Sequence, residues 1–139
     1  MRRKSNLFER LEKCNDSLLH IENEEFFTKT EDEKFHIFDL QEIFSNENPL
    51  WLEIGCGKGQ FALETAKLNP NLIAVEKISN VILTACERAE IEKPKNCKFL
   101  NCSAENLCYY FKNQTVEKIF LNFSCPYPKY TYRNRRLTY

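Results

Sequence analysis

Leu50-Trp51-Leu52-Glu53-Ile54-Gly55-Cys56-Gly57-Lys58-Gly59 is the stretch on which the reading of this chain turns. A short apolar run ends abruptly at a glycine, as a buried strand does. The three glycines of the loop are the only three in the chain. Glycine lets the backbone turn tightly and lets a ligand come close to the main chain. Residues 60–68 (QFALETAKL) follow with helical character and stop before Asn69-Pro70. Strand, glycine loop and helix in that order define a βα unit whose loop is a candidate ligand site.

Working outward, the same alternation continues. Leu72-Ile73-Ala74-Val75 reads as a second buried strand closed by Glu76. Ser79 is placed to cap a helix in which Ile82, Ala85, Cys86 and Ala89 share one face. Cys97-Lys98-Phe99-Leu100 reads as a third strand, 104–112 as a third helix, and Val116 to Phe123 as a fourth strand. A β-α-β-α-β-α-β alternation calls for a mostly parallel sheet with crossover helices, the doubly wound α/β class. Ahead of it, residues 1–49 form an N-terminal extension. Leu7, Phe8, Leu11 and Cys14 lie at helical spacing, 20–34 read as a loop or mobile arm, and Asp39 can cap a short helix through Phe44. The core then occupies 50–139.

Composition bounds the class. The chain has 139 residues, 42% of them hydrophobic and 29% charged, an ordinary globular balance. No apolar run approaches the roughly 20 residues of a membrane span. The basic start, MRRKSNLFERLEK, has no apolar stretch behind it and is not a secretory signal. Seven cysteines are an odd number and contain no CxxC pair, and the two histidines, His20 and His36, stand apart from them. Neither a disulfide framework nor a structural zinc is expected, and most thiols read as small buried hydrophobes in a reducing, cytoplasmic compartment.

The zero net charge hides a gradient. Residues 1–50 carry 7 Lys/Arg against 12 Asp/Glu, residues 51–125 carry 9 against 8, and residues 126–139 carry 4 against none. The basic tail, Pro126-Tyr127-Pro128-Lys129 and then Tyr130-Thr131-Tyr132-Arg133-Asn134-Arg135-Arg136, interleaves cations with aromatic rings. Lys129, Arg133, Arg135 and Arg136 can hold phosphates while the tyrosines stack on bases.

Two acids flank the glycine loop. Glu76 ends the second strand 21 residues after Gly55, where a carboxylate can accept ribose hydroxyls. Glu53 lies inside an apolar strand, where a carboxylate is costly unless it is paired. Its partner is either a bound ammonium group or a buried lysine. The GxGxG spacing differs from the GxGxxG usual for nicotinamide dinucleotides and suits an S-adenosylmethionine loop better.

With these residues in view, the sequence from Trp51 to Tyr139 resembles the bacterial tRNA (guanine-N7-)-methyltransferases. The likeness is carried by Leu52-Glu53-Ile54-Gly55-Cys56-Gly57-Lys58-Gly59 and by Asn69-Pro70 with Glu76. It is carried further by Leu121-Asn122-Phe123-Ser124 ahead of Pro126 and Pro128-Lys129, and by Arg135-Arg136-Leu137-Thr138. The resemblance implies a Rossmann-like methyltransferase fold, S-adenosylmethionine as cofactor and tRNA as partner. The implied reaction is methyl transfer to N7 of a guanine in the variable loop. It places Glu53, Gly55, Gly57 and Glu76 at the cofactor and Lys129 at the substrate.

Two positions depart from the family pattern. Ser103 stands where an aspartate usually follows the third strand. Cys125 stands at the aspartate assigned to cofactor binding and catalysis, within Cys-Pro-Tyr-Pro in place of Asp-Pro-Trp-Pro. Family chains also continue well past Arg-Arg-Leu-Thr, so the fourth strand is expected to be an open sheet edge and the core to be cut short. A monomer or weak dimer is expected. Two competing functions remain at this point, a non-catalytic remnant that binds the cofactor or RNA, and a nicotinamide-binding domain.

Overall fold

The computed structural model describes residues 3–21, 36–122 and 128–135, with Asn134 and Arg135 described by backbone alone. Five strands form one wholly parallel sheet: β1 (Leu18–Leu19), β2 (Leu50–Ile54), β3 (Asn71–Val75), β4 (Cys97–Leu100) and β5 (Val116–Phe120). Their spatial order is β1-β4-β3-β2-β5. Starting from β2, the chain adds β3 and β4 on one side and then returns to lay β5 on the other. The strand order therefore reverses between β2 and β5, and the carboxyl ends of these two strands bound the crevice where open α/β sheets take ligands.

Helices α1 (Leu7–Glu12), α3 (Gln60–Ala66) and α4 (Ser79–Glu92) cover one face of the sheet, and α2 (Leu40–Phe44) with the 3-10 helix Ala104–Tyr109 covers the other. The two-residue period of the strands sorts their side chains accordingly. Leu72, Ala74, Cys97 and Phe99 enter the first core with Leu63, Ile82, Leu83 and Cys86. Leu50, Leu52, Ile73, Val75 and Leu100 enter the second with Phe44, Cys102 and Tyr110. The expected α/β class and the four strands of the alternation are present.

Several local expectations are corrected. Leu18–Leu19 forms an additional strand on β4, continued by a bond from the Phe99 N–H to the Ser17 carbonyl. Two residues are too few to show a period. The third helix is a 3-10 helix that ends at Tyr109, and β5 ends at Phe120 rather than Phe123. Ser79 does not cap α4. Ile78 occupies the cap position, its N–H donates to Glu76, and the Ser79 hydroxyl donates to Asn101 instead. Asp39 caps α2 as expected, accepting from the Gln41 and Glu42 N–H groups at 2.9 and 3.2 Å. The arm over 22–34, and Phe123 to Tyr127 and Arg136 to Tyr139, lie outside the described residues.

β5 lies at one end of the strand order. Among the described residues it pairs with β2 alone, and the register shifts between Leu50 and Trp51 so that Glu117 has no partner in the ladder. On one face Lys118 sits 4.1 Å over the Trp51 ring and Phe120 meets Trp51 and Phe61. On the other, Ile119 and Leu121 are 57% and 42% exposed.

Candidate functional site

The turn after β2 is built from backbone conformations that suit glycine. Gly55, Gly57 and Gly59 have φ of +81°, +58° and +73°. The turn closes with the Gly59 N–H donating to the Cys56 carbonyl at 2.9 Å, and Gly59 then caps α3. The three glycines do different work. A Cβ at Gly55 or Gly57 would meet nothing within 4 Å, so the main chain there borders open space. A Cβ at Gly59 would lie 2.7 Å from the Ala85 Cβ and 2.9 Å from the Phe99 ring, so this residue lets α3 close onto the core.

Glu76 reaches back to that turn. One carboxylate oxygen accepts from the Gly57 N–H at 3.3 Å and the other from the Ile78 N–H at 2.9 Å. Asn101, just past β4, donates to the Glu76 carbonyl at 2.7 Å and accepts from the Ser79 hydroxyl at 2.7 Å. The ends of β2, β3 and β4 are thereby joined in one polar network. Asn101 was not picked out from the sequence, although a polar residue directly beyond a strand's carboxyl end is a usable signal in this fold class.

Glu53 is the unusual group. It is 2% exposed. One carboxylate oxygen accepts from the Asn122 side-chain amide at 3.3 Å, and the Ala62 main-chain amide in the first turn of α3 also favours the charged form. The other oxygen is buried with no hydrogen-bond partner among the described residues. Burial outweighs these bonds and raises the carboxyl above its ordinary range. Among the described residues no lysine pairs with it. Leaving such an oxygen unsatisfied costs free energy, and a ligand carrying positive charge at the β2–β5 crevice would satisfy it. The orphaned oxygen and the open space over Gly55 and Gly57 together fit a ligand of S-adenosylmethionine's chemistry, whose ammonium and sulfonium groups are cationic.

The remaining expected residues are placed less closely. Ser103 is half-buried and its hydroxyl donates to Glu105 at 3.2 Å, so Asn101, not Ser103, joins β4 to Glu76. Lys129 is exposed, and Arg133 stacks at 4.0 Å on the exposed ring of Tyr130 within the 3-10 helix Tyr130–Arg135. Arg135 ends that helix. Cys125 and Arg136 lie outside the described residues. Of the described thiols, Cys108 is exposed and the other five are buried, and none is in a disulfide. Burial pushes Cys14 up to about 11 and Cys97 and Cys102 up to about 12, and raises Cys56 as well, so all four are held as inert thiols. Among the described residues no group of three His, Cys, Asp or Glu side chains could hold a metal, and no helix is long and apolar enough to cross a membrane.

A parallel α/β sheet with a glycine turn and two acids at its switch point is the arrangement at which proteins of the doubly wound class take ligands. The chain belongs to a methyltransferase family: the family model described as "Putative methyltransferase" matches residues 47–139. It is 39% identical over 106 residues to the tRNA (guanine-N(7)-)-methyltransferase of Bacillus cytotoxicus. That match covers 75% of this chain and 49% of the relative, so the chain spans about half the relative's length. Among solved structures it is similar to Haemonchus contortus phosphoethanolamine N-methyltransferase 2, in a complex containing S-adenosylhomocysteine (26% identity, TM-score 0.48) and in one with S-adenosyl-L-methionine (25%, 0.47). Each match covers 59% of this chain and 19% of that enzyme.

Proposed function

We propose that this chain binds S-adenosylmethionine and transfers its methyl group to N7 of a guanine in the tRNA variable loop. The observation that carries the reading is the orphaned oxygen of Glu53 at the β2–β5 switch point, beside the glycine turn. The substrate is suggested by the 39% identity to a tRNA (guanine-N(7)-)-methyltransferase. In this reading Glu53 holds the cationic end of the cofactor, and Gly55 and Gly57 let it lie against the main chain. Glu76 accepts from the ribose, and Ser103 with its neighbours borders the base. Lys129, Arg133, Arg135 and Arg136 hold RNA phosphates.

S-adenosylmethionine supplies, when bound, a methyl group activated on a sulfonium. Guanine N7 presents a free lone pair, so one N–C bond forms as one S–C bond breaks and no proton has to leave first. The residues need only fix the two reactants in line and exclude water, and positioning of this kind can provide about 7–11 kcal/mol of barrier reduction. A thiol at Cys125, where the family resemblance implies an aspartate, is compatible with a step that needs no base.

The test is nucleoside mass spectrometry of tRNA incubated with the full chain and methyl-labelled S-adenosylmethionine, with 7-methylguanosine as the expected product. A folded chain that binds S-adenosylhomocysteine yet forms none would favour a binding remnant, and one that binds NAD instead would remove the methyltransferase reading. The tail adds a second expectation. If each of its four cations neutralises one phosphate, tRNA affinity falls with salt at a log–log slope of roughly −3 to −4. A flat response in filter binding would take the tail out of the interface.

A further inference from the structure

We infer that the start of the chain forms a second RNA-contact surface, on the α4 side of the candidate site, built from Arg3, Phe8 and Lys77. This inference rests on the tRNA reading above and deepens it. The N-terminal segment is fastened to the rim of the site. The Lys4 main-chain N–H donates to the Asn80 side chain at 2.7 Å, and the Lys4 ammonium donates to the Thr84 hydroxyl at 2.5 Å. Asn80 adjoins Ser79, whose hydroxyl leads through Asn101 to Glu76 and the glycine turn. Lys4 thus sets Arg3 and Phe8 at the same end of the sheet as the carboxyl ends of the strands.

What these residues present there has the chemistry of a nucleotide contact. Phe8 is 60% exposed although it lies on a helix whose other apolar residues, Leu7 and Leu11, are buried. The Arg3 guanidinium lies 4.6 Å over its ring. An exposed aromatic ring beside a guanidinium offers a base a stacking surface and its phosphate a counter-charge. Lys77 is exposed on the same rim, between Glu76 and the first turn of α4. Of the acids on α1 and α4, Glu9 is paired with Lys13 at 2.7 Å and Glu87 with Arg10 at 2.6 Å. Arg3 and Lys77 make no ion pair among the described residues. Arg3 and Lys77 thus add cationic charge to the rim on which Glu76 stands, although residues 1–50 as a whole are acidic. A polyanion with an unstacked base matches this surface better than an apolar partner does.

The experiment uses the full chain with Phe8→Ala, Arg3→Glu, Lys77→Glu and the conservative Arg3→Lys. tRNA affinity is read by filter binding, S-adenosylhomocysteine affinity by calorimetry and oligomeric state by sedimentation. Phe8→Ala is expected to weaken tRNA binding roughly tenfold, the scale of one lost stacking contact. Arg3→Glu and Lys77→Glu are each expected to reduce the magnitude of the salt slope by about one, while Arg3→Lys keeps it. Cofactor affinity and melting temperature stay unchanged in all four. tRNA affinity within twofold of the parent in both Phe8→Ala and Arg3→Glu would overturn the inference. So would a shift in oligomeric state with tRNA binding intact, which would make the patch a contact between copies. A parent chain that binds tRNA but forms no 7-methylguanosine would sink the catalytic reading alone and leave this surface measurable.

Discussion

Gly59→Ala is expected to lower the stability of the chain by roughly 2–5 kcal/mol, whereas Gly57→Ala two residues earlier costs only about 1–2 kcal/mol. Both positions have positive φ, and placing a non-glycine residue there costs about 1–2 kcal/mol. The difference is what the new methyl group meets. At Gly57 it points into open space; at Gly59 it stands 2.7 Å from the Ala85 Cβ and 2.9 Å from the Phe99 ring. Neither neighbour can yield. Ala85 is on α4, Phe99 is on β4 in the middle of the first core, and both are fully buried. Overpacking of this kind adds typically about 1–3 kcal/mol. The combined loss, roughly 2–5 kcal/mol, is a large share of the about 5–15 kcal/mol that holds a typical domain. Urea denaturation followed by circular dichroism measures it. Equal midpoints for the two variants would show that the Ala85–Phe99 contact does not dictate the third glycine.

That contrast bears on how much of the molecule could be read from its residues. The glycine loop was legible because every glycine of the chain stands in it, but the spacing alone could not divide the three between ligand approach and helix packing. β4 spans the expected Cys97–Leu100, with Cys97 and Phe99 buried on either side of the half-buried Lys98. β1 was invisible because a two-residue strand has no period, and it exists only through its pairing with β4. Ser79 looked like a helix cap by residue type. A carboxylate three positions upstream already accepts the amide at Ile78, and the hydroxyl found a better acceptor in Asn101. Asn101 and Asn122 have no local pattern to announce them. Their roles come from tertiary contacts, since each meets an acid more than 20 residues away in the chain.

Glu53→Gln is expected to raise the melting temperature of the ligand-free protein at neutral pH while weakening S-adenosylhomocysteine roughly a hundredfold. The two effects have one origin. In the folded chain burial raises the Glu53 carboxyl above its ordinary range, and the Asn122 and Ala62 amides only partly offset this. Between the ordinary carboxylate pKa and the raised folded value, the native state holds a proton that the unfolded state has released. Stability therefore falls as pH rises through that window, and the charged carboxylate is a standing cost above it. The glutamine amide is isosteric and uncharged, so it removes the cost and the pH dependence together. It also removes the negative charge that a cationic ligand would pair with. Deleting one member of a buried pair costs about 3–5 kcal/mol, and the lower end corresponds to about a hundredfold in Kd. The parent's affinity should likewise decline as pH falls below the raised Glu53 value, because binding needs the ionised form, while the variant's weak affinity stays flat with respect to this group. Thermal melts across pH with and without S-adenosylhomocysteine, together with calorimetry at neutral pH, measure both arms. A variant that melts higher but binds as tightly as its parent would show that Glu53 does not face the ligand. A variant that melts lower would show that the unpartnered oxygen is satisfied in solution.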